Sequence, residues 1–209
     1  GALSAGDTEP PETPKVSSFD RDEYRGFSEE PGVSILTRTY GMTGDDYYAR
    51  QFLQHLLEER LYARLRLDTA LTYTPSSYVS EGADWGLFGL HAETSAENHD
   101  QALRIMRAII NELTEALLPA DEFRRIKLSL LRQWAQSIET NSDYAGYYTG
   151  SLPQFRRDGH FLNEEVQIAA LTPERVHAVA KRLFAPARTV VVRDRDIQTR
   201  IASRPTSRP

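Results

Sequence analysis

The stretch Arg60-Leu-Tyr-Ala-Arg-Leu-Arg-Leu-Asp-Thr-Ala-Leu-Thr-Tyr73 is where the chain changes period. Leading into it, Leu53, Leu57, Leu61 and Leu65 recur every four residues, as one side of a long buried helix requires. Asp45 and Asp46 precede that run and can cap it. Beyond it, Leu71 to Ser80 is rich in Thr, Tyr and Val, residue types that suit a pleated, half-buried strand. Arg66 therefore falls at the end of a helix and Tyr73 on the next strand, with a bend between them. Arg60 and Arg64 lie inside the apolar arc, so either their stems snorkel along it or the helix breaks there.

The flanking segments fit around this junction. Val33 to Tyr40 alternates apolar and polar positions and ends at Gly41, which predicts a first strand with one face buried. Gly86 to Glu93 places Leu87, Gly89 and His91 on one side and Phe88, Leu90 and Ala92 on the other. The turn signal Glu81, Gly82, Ala83, Asp84 makes it the antiparallel partner of the preceding strand. A helix from about Asn98 to Leu117 is expected to bury Leu103, Met106, Ile110, Leu113 and Leu117 and to stop before Pro119. A second, opened by Asp121, shows Phe123, Ile126, Leu130, Trp134 and Ile138. A third starts with Thr172 as cap and Pro173 in its first turn, followed by Val176, Val179, Ala180 and Leu183. Thr189 to Val192 reads as a closing β-branched strand. Strands in adjacent pairs and helices in runs predict an α+β fold, two-layered, with a mostly antiparallel sheet and helices packed on one face.

The 209 residues are 40% hydrophobic and 26% charged, which fits one ordinary domain with some unburied tail. Residues 1–31 are acidic and broken by Pro10, Pro11, Pro14 and Pro31, the composition of a flexible linker; residues 195–209 form a polar tail. The domain proper is thus expected over residues 32–194. Gly1 to Asp7 carry no initiator Met and resemble no intact secretion signal, so the chain reads as a piece of a longer protein. Twenty-five Lys and Arg against 30 Asp and Glu give a net charge of −5, which argues against a nucleic-acid partner. No apolar run approaches the roughly 18 residues that a membrane span requires. Cysteine is absent, which excludes disulfides, thiolate nucleophiles and Cys-held zinc.

Few residues carry a chemical signature by themselves. His55-Leu-Leu-Glu-Glu59 has the outline of a zinc-binding helix, and His55, Glu58 and Glu59 share the side opposite Leu53, but the second His is missing. A solvated helix face is the reading we adopt, and no zinc site is assigned. His91, His99, His160 and His177 have no ligand spacing. There is no Gly-rich phosphate loop and no nucleophile elbow.

The opening stretch carries more when set beside known families. Arg60-Leu-Tyr-Ala-Arg-Leu-Arg66 followed by Leu67 to Tyr73 resembles the Arg-Leu-Phe-x-x-Leu-Arg-x-x-x-Gly-Leu-x-Tyr stretch in the C-terminal, metal-free halves of the insulinase, pitrilysin and mitochondrial-processing-peptidase family of zinc metallopeptidases. Gly86-Leu-Phe-Gly-Leu-His-Ala-Glu-Thr94 resembles the strand that follows, Asp100 to Leu117 its amphipathic helix, and Pro119-Ala-Asp-Glu-Phe-Arg-Arg-Ile-Lys127 the next helix start. Leu171-Thr-Pro-Glu-Arg-Val-His-Ala-Val-Ala-Lys181 is similar to the closing helix. The resemblance covers about residues 33–193.

It implies a processing-peptidase-like metallohydrolase fold and one half of a clamshell that closes over an unfolded peptide. Zinc is then expected in a missing N-terminal half or partner subunit, held by His-x-x-Glu-His; this chain would hold neither metal nor catalytic residues. Its contribution to the substrate site would be Arg66 and Tyr73, seven residues apart. Two departures stand out. Ala70 replaces the usual Gly, which implies a bend built without glycine's access to positive φ. Leu56 and its neighbours replace a Gly-rich break, which implies a first helix that runs on continuously. Two other readings stay open: a structural or assembly protein that keeps the fold without catalysis, as in the core subunits of the respiratory cytochrome bc1 complex, and a self-sufficient metal hydrolase using His55, Glu58 and Glu59. For a bacterial member, a periplasmic or envelope location is the expectation.

Overall fold

The computed structural model describes residues 31–39, 46–81, 86–143, 145–146, 164–185 and 188–192. Among the described residues, four strands form one sheet: β1 (Gly32–Thr39), β2 (Ser76–Glu81), β3 (Gly86–Glu93) and β4 (Arg188–Val192), in the order β2-β3-β1-β4. All three pairings are antiparallel, with Ile35 opposite Leu90 and Thr189, and Val79 opposite Phe88. Among the described residues, the α-helices that build the layer against it are α1 (Tyr47–Leu61), α2 (His99–Glu115), α3 (Ala120–Gln136), α4 (Glu164–Ala169) and α5 (Pro173–Phe184). The α+β class, the antiparallel sheet and the helical layer are those expected.

The period of two along the strands decides which face the helices cover. Val33, Ile35 and Thr37 of β1 align with Ala92, Leu90 and Phe88 of β3, and all six are buried. In the same core α1 packs against β2, and its Phe52, Leu53, Leu56, Leu57 and Leu61 are fully enclosed. Helix α2 adds Leu103, Met106, Ile109 and Leu113; α3 adds Phe123, Ile126 and Leu130; α5 adds Val176, Val179 and Ala180. Phe52 stacks on Phe123 at 5.0 Å, and Phe88 meets Phe184 edge to face at 5.8 Å. Each such side chain stabilises the fold by about 1.5–3 kcal/mol relative to exposure.

The opposite face of the sheet shows a different device. A Cβ built on Gly89 would lie 2.4 Å from the ring of Tyr78, its cross-strand partner, so glycine there makes room for a flat aromatic. On the same face Ser34 Oγ and His91 Nδ1 share a hydrogen bond at 2.8 Å.

Several expectations shift at element ends. Helix α2 stops at Glu115 and Ala116 is extended, so Leu117, expected in the core, is 49% exposed. Pro119 disfavours helical geometry just before it, and the chain leaves the helix early. Ile138 likewise lies past the end of α3 at Gln136. Asp46 sits at the start of α1 but makes no side-chain cap; its carboxylate pairs with Arg175 and Arg182 of α5. Thr172 does cap α5, its Oγ1 accepting from Arg175 N at 3.2 Å. Helix α4 was not anticipated; Lys127 Nζ donates to the carbonyls of Ala169 and Leu171 at its end. Residues 1–30, the turn at 82–84, Asp45, His160 and the tail from 195 lie outside the described residues.

Candidate functional site

Helix α1 runs unbroken through Leu56, as the loss of the Gly-rich break implies, and then widens into a π-helical turn over Tyr62–Leu67. The widening shows in Asp68 N, which donates to Ala63 O at 2.9 Å, five residues back. The helix therefore changes character between Arg60 and Arg64, close to the break that the sequence left open.

The turn ends in a Schellman-like closure one residue wider than usual. Leu71 N reaches back to Leu65 O at 2.8 Å and Ala70 N to Arg66 O at 3.2 Å. Thr69 Oγ1 donates to Arg64 O at 2.7 Å, occupying a carbonyl left over at the helix end. Ala70 adopts φ 51°. The bend thus uses positive φ after all, and alanine bears a cost of about 1–2 kcal/mol that glycine would not. Beyond the bend, Thr94 Oγ1 donates to Leu71 O at 2.6 Å, and β2 begins only at Ser76, so Tyr73, expected on that strand, lies just ahead of it.

Charge sorting then separates the three arginines of the segment. Arg60 forks onto Glu122 through Nε and Nη2 at 3.2 and 2.9 Å, and also reaches Glu112. Arg64 forks onto Glu112 with both Nη atoms at 2.7 Å. That hydrogen bond holds the Glu112 carboxyl below the usual carboxylate range and raises Arg64. Arg66 is different. It has no carboxylate or hydrogen-bond partner for its guanidinium among the described residues; its Cζ lies over the Tyr73 ring, 4.2 Å from the centroid, and 5.0 Å from that of Tyr62.

The bend thus brings Arg66 and Tyr73 together at the surface. Tyr73 is 76% exposed and Tyr62 42% exposed, and neither hydroxyl has a hydrogen-bond partner among the described residues. Cation–π contact fixes the guanidinium plane without consuming its N–H groups, so five donors and a phenol hydroxyl stay available to a ligand. Tyr62 was missed in the sequence; its position four residues before Arg66, on the same side of a helical turn, is the signal that could have found it.

Of the other candidates, His55 and Glu59 approach each other at 3.6 Å, but Glu58 does not join them. His55 Nε2 hydrogen-bonds Ser129 Oγ at 2.9 Å, Glu59 pairs with Arg125, and Glu58 is exposed. Among the described residues no three His, Asp or Glu stand where they could share a metal ion. His99 is buried with Nε2 near Thr94 O, and His177 Nε2 meets Thr114 O at 3.1 Å, both holding structure together. No described helix is long and apolar enough to cross a membrane.

Comparison with known proteins adds the family. The fold is similar to that of a protease from Helicobacter pylori, at 18% identity and TM-score 0.73, covering 82% of this chain and 43% of that one. It is similar to the peptidase M16 inactive domain from Pseudomonas fluorescens, at 20% identity and TM-score 0.64, covering 83% and 44%. A chain of complex III2 from Candida albicans is similar at 14% identity and TM-score 0.65, covering 81% and 44%. This chain thus spans less than half the length of each. No curated protein matches it in sequence. The sequence model of the peptidase M16 inactive domain matches residues 4–130, and the chain belongs to that family.

Proposed function

We propose that this chain is the non-catalytic, substrate-contacting half of a zinc-dependent metallopeptidase, closing over an unfolded peptide beside an N-terminal half or partner subunit that holds the metal. The observation that carries the reading is the Arg66–Tyr73 contact: a half-buried arginine whose guanidinium has no ion-pair partner among the described residues, stacked on an exposed phenol ring. The described residues of this chain do not fit zinc, and its sequence has no His-x-x-Glu-His. What it supplies is donors. Peptide-bond hydrolysis builds negative charge on the carbonyl oxygen, and a guanidinium and a phenol hydroxyl can grip the peptide and steady that oxygen. Placing them on the opposite shell lets closure complete the site.

With the metal-bearing half present, Arg66→Ala or Tyr73→Phe is expected to lower turnover at least about tenfold while bound zinc, measured by metal analysis, stays constant. Unchanged turnover in both variants overturns the assignment. The likeness to a complex III chain supports a second reading, a scaffold or assembly subunit that keeps the fold without catalysis. A His-x-x-Glu-His helix in the parental reading frame or an adjacent gene selects the peptidase; its absence from both selects the scaffold. For the peptidase in a bacterium, we place the work in the periplasm or envelope, which fractionation of cells carrying the tagged parent tests.

A further inference from the structure

We infer that Tyr62 is a positioning residue for the peptide site: its ring holds the Arg66 guanidinium in the orientation in which its N–H donors face the ligand. The inference rests on the peptide-contacting reading above and deepens it by one residue.

The starting point is a mismatch between residue type and place. Tyr62 is a large aromatic at the first position of the π turn, 42% exposed, while its neighbour Leu61 and the following Leu65 are fully buried. It fills no core, and its hydroxyl has no partner among the described residues. What it touches is Arg66, whose Cζ lies 5.0 Å from the ring centroid.

Arg66 needs such a contact. A long side chain at a helix end, without a carboxylate to hold it, samples many rotamers, and each order of freedom lost on binding weakens the grip. Arg60 and Arg64 solve the problem with bidentate carboxylates, and the same forks that fix them use up their donors. Aromatic rings hold a guanidinium by its face and leave the N–H edge open. Tyr73 alone supplies one ring, but Tyr73 lies on the far side of the Ala70 bend, so its position depends on that bend. Tyr62 lies on the same helical turn as Arg66 and keeps its place whether or not the bend shifts.

The ring, not the hydroxyl, does this, and the conservative variant separates the two. In the isolated chain, NMR should show the Arg66 side-chain methylene protons shifted upfield by the flanking rings. Tyr62→Leu is expected to move them toward random-coil positions, and Tyr62→Phe to keep them; an Arg66 signal indifferent to Tyr62→Leu overturns the inference. Backbone amide shifts away from residues 60–75 serve as the control for folding. With the metal-bearing half present, Tyr62→Leu is expected to lower kcat/KM for an unfolded peptide about two- to fivefold, the size of one exposed cation–π contact. That loss should vanish in an Arg66→Ala background and be absent in Tyr62→Phe. A loss of the same size with and without Arg66 overturns the positioning role. If Arg66→Ala and Tyr73→Phe both leave turnover unchanged, the peptide-site reading fails and the functional half of this inference falls with it, whatever the NMR signal does.

Discussion

Arg50 of α1 donates Nε and Nη2 to a single carboxylate oxygen of Glu81, at 3.1 and 2.8 Å, with both side chains at most 5% exposed. The pair ties the first helix to the last residue of β2, the strand that Tyr73 leads into. Burial pushes the Glu81 carboxyl up, and the guanidinium beside it pulls it back only in part. Removing one partner leaves the other charge buried. Glu81→Ala is therefore expected to cost about 3–5 kcal/mol in urea unfolding. Replacing both with apolar residues of similar size, Arg50→Met with Glu81→Leu, should recover most of that loss, and a double variant as unstable as the single one would contradict this account.

Ala70 makes a second test. Its φ of 51° is strained for alanine, and glycine relieves the strain while adding freedom to the unfolded chain. The first effect is the larger. Ala70→Gly should raise stability by about 0.5–1 kcal/mol, read as a higher Tm. A lower Tm would mean that the bend does not hold this conformation in solution.

Glu112 gives a pH dependence with a definite sign. Arg64 holds its carboxyl below the usual range, so the folded protein releases that proton at lower pH than the unfolded chain does. The resulting stabilisation is complete above the unfolded pKa, about 4.3, and is lost as pH falls through the folded value. Its size is that of a half-exposed pair, up to about 1 kcal/mol. Glu112→Gln should flatten that part of the acid limb of a stability–pH curve and leave the slope above pH 6 unchanged.

Arg66 should behave unlike Arg50. Because only ring contacts hold it among the described residues, Arg66→Ala should cost no more than about 1–2 kcal/mol, against about 3–5 for Arg50→Ala. Paired thermal melts of the two variants check the contrast. A residue whose loss leaves the fold intact is one whose turnover effect can be read as a site effect.

Much of this was legible because side-chain period and element type go together. The four-residue spacing of Leu53, Leu57, Leu61 and Leu65 marked one continuous buried stripe, and all four are fully enclosed. The alternation set Phe88, Leu90 and Ala92 together on one face of β3, which is the face the helices cover, and Thr172 before Pro173 marked the start of α5. The π turn left no such trace. Its backbone slips by one residue while residues four apart still share a side, so Leu61 and Leu65 look the same in either helix. Helix α4 is six residues long with Ile168 as its one buried apolar residue, too little to show a period. The Arg66–Tyr73 pair could be named only through the family resemblance, since nothing in spacing alone separates Arg66 from Arg60 and Arg64. That distinction arises in three dimensions, where Glu112 and Glu122 of other helices claim two of the three. Tyr62 escaped because an exposed aromatic on a helix matches no pattern of burial.

The glycine at position 89 has an effect that reaches past its own strand. Having no side chain at the middle of β3, the sheet takes its relief on the side away from the helices from the phenol of Tyr78, laid across the gap like a paving stone. Any substitution at 89 would tip that stone up, so the smoothness of this surface is written in two strands at once and can be lost through either.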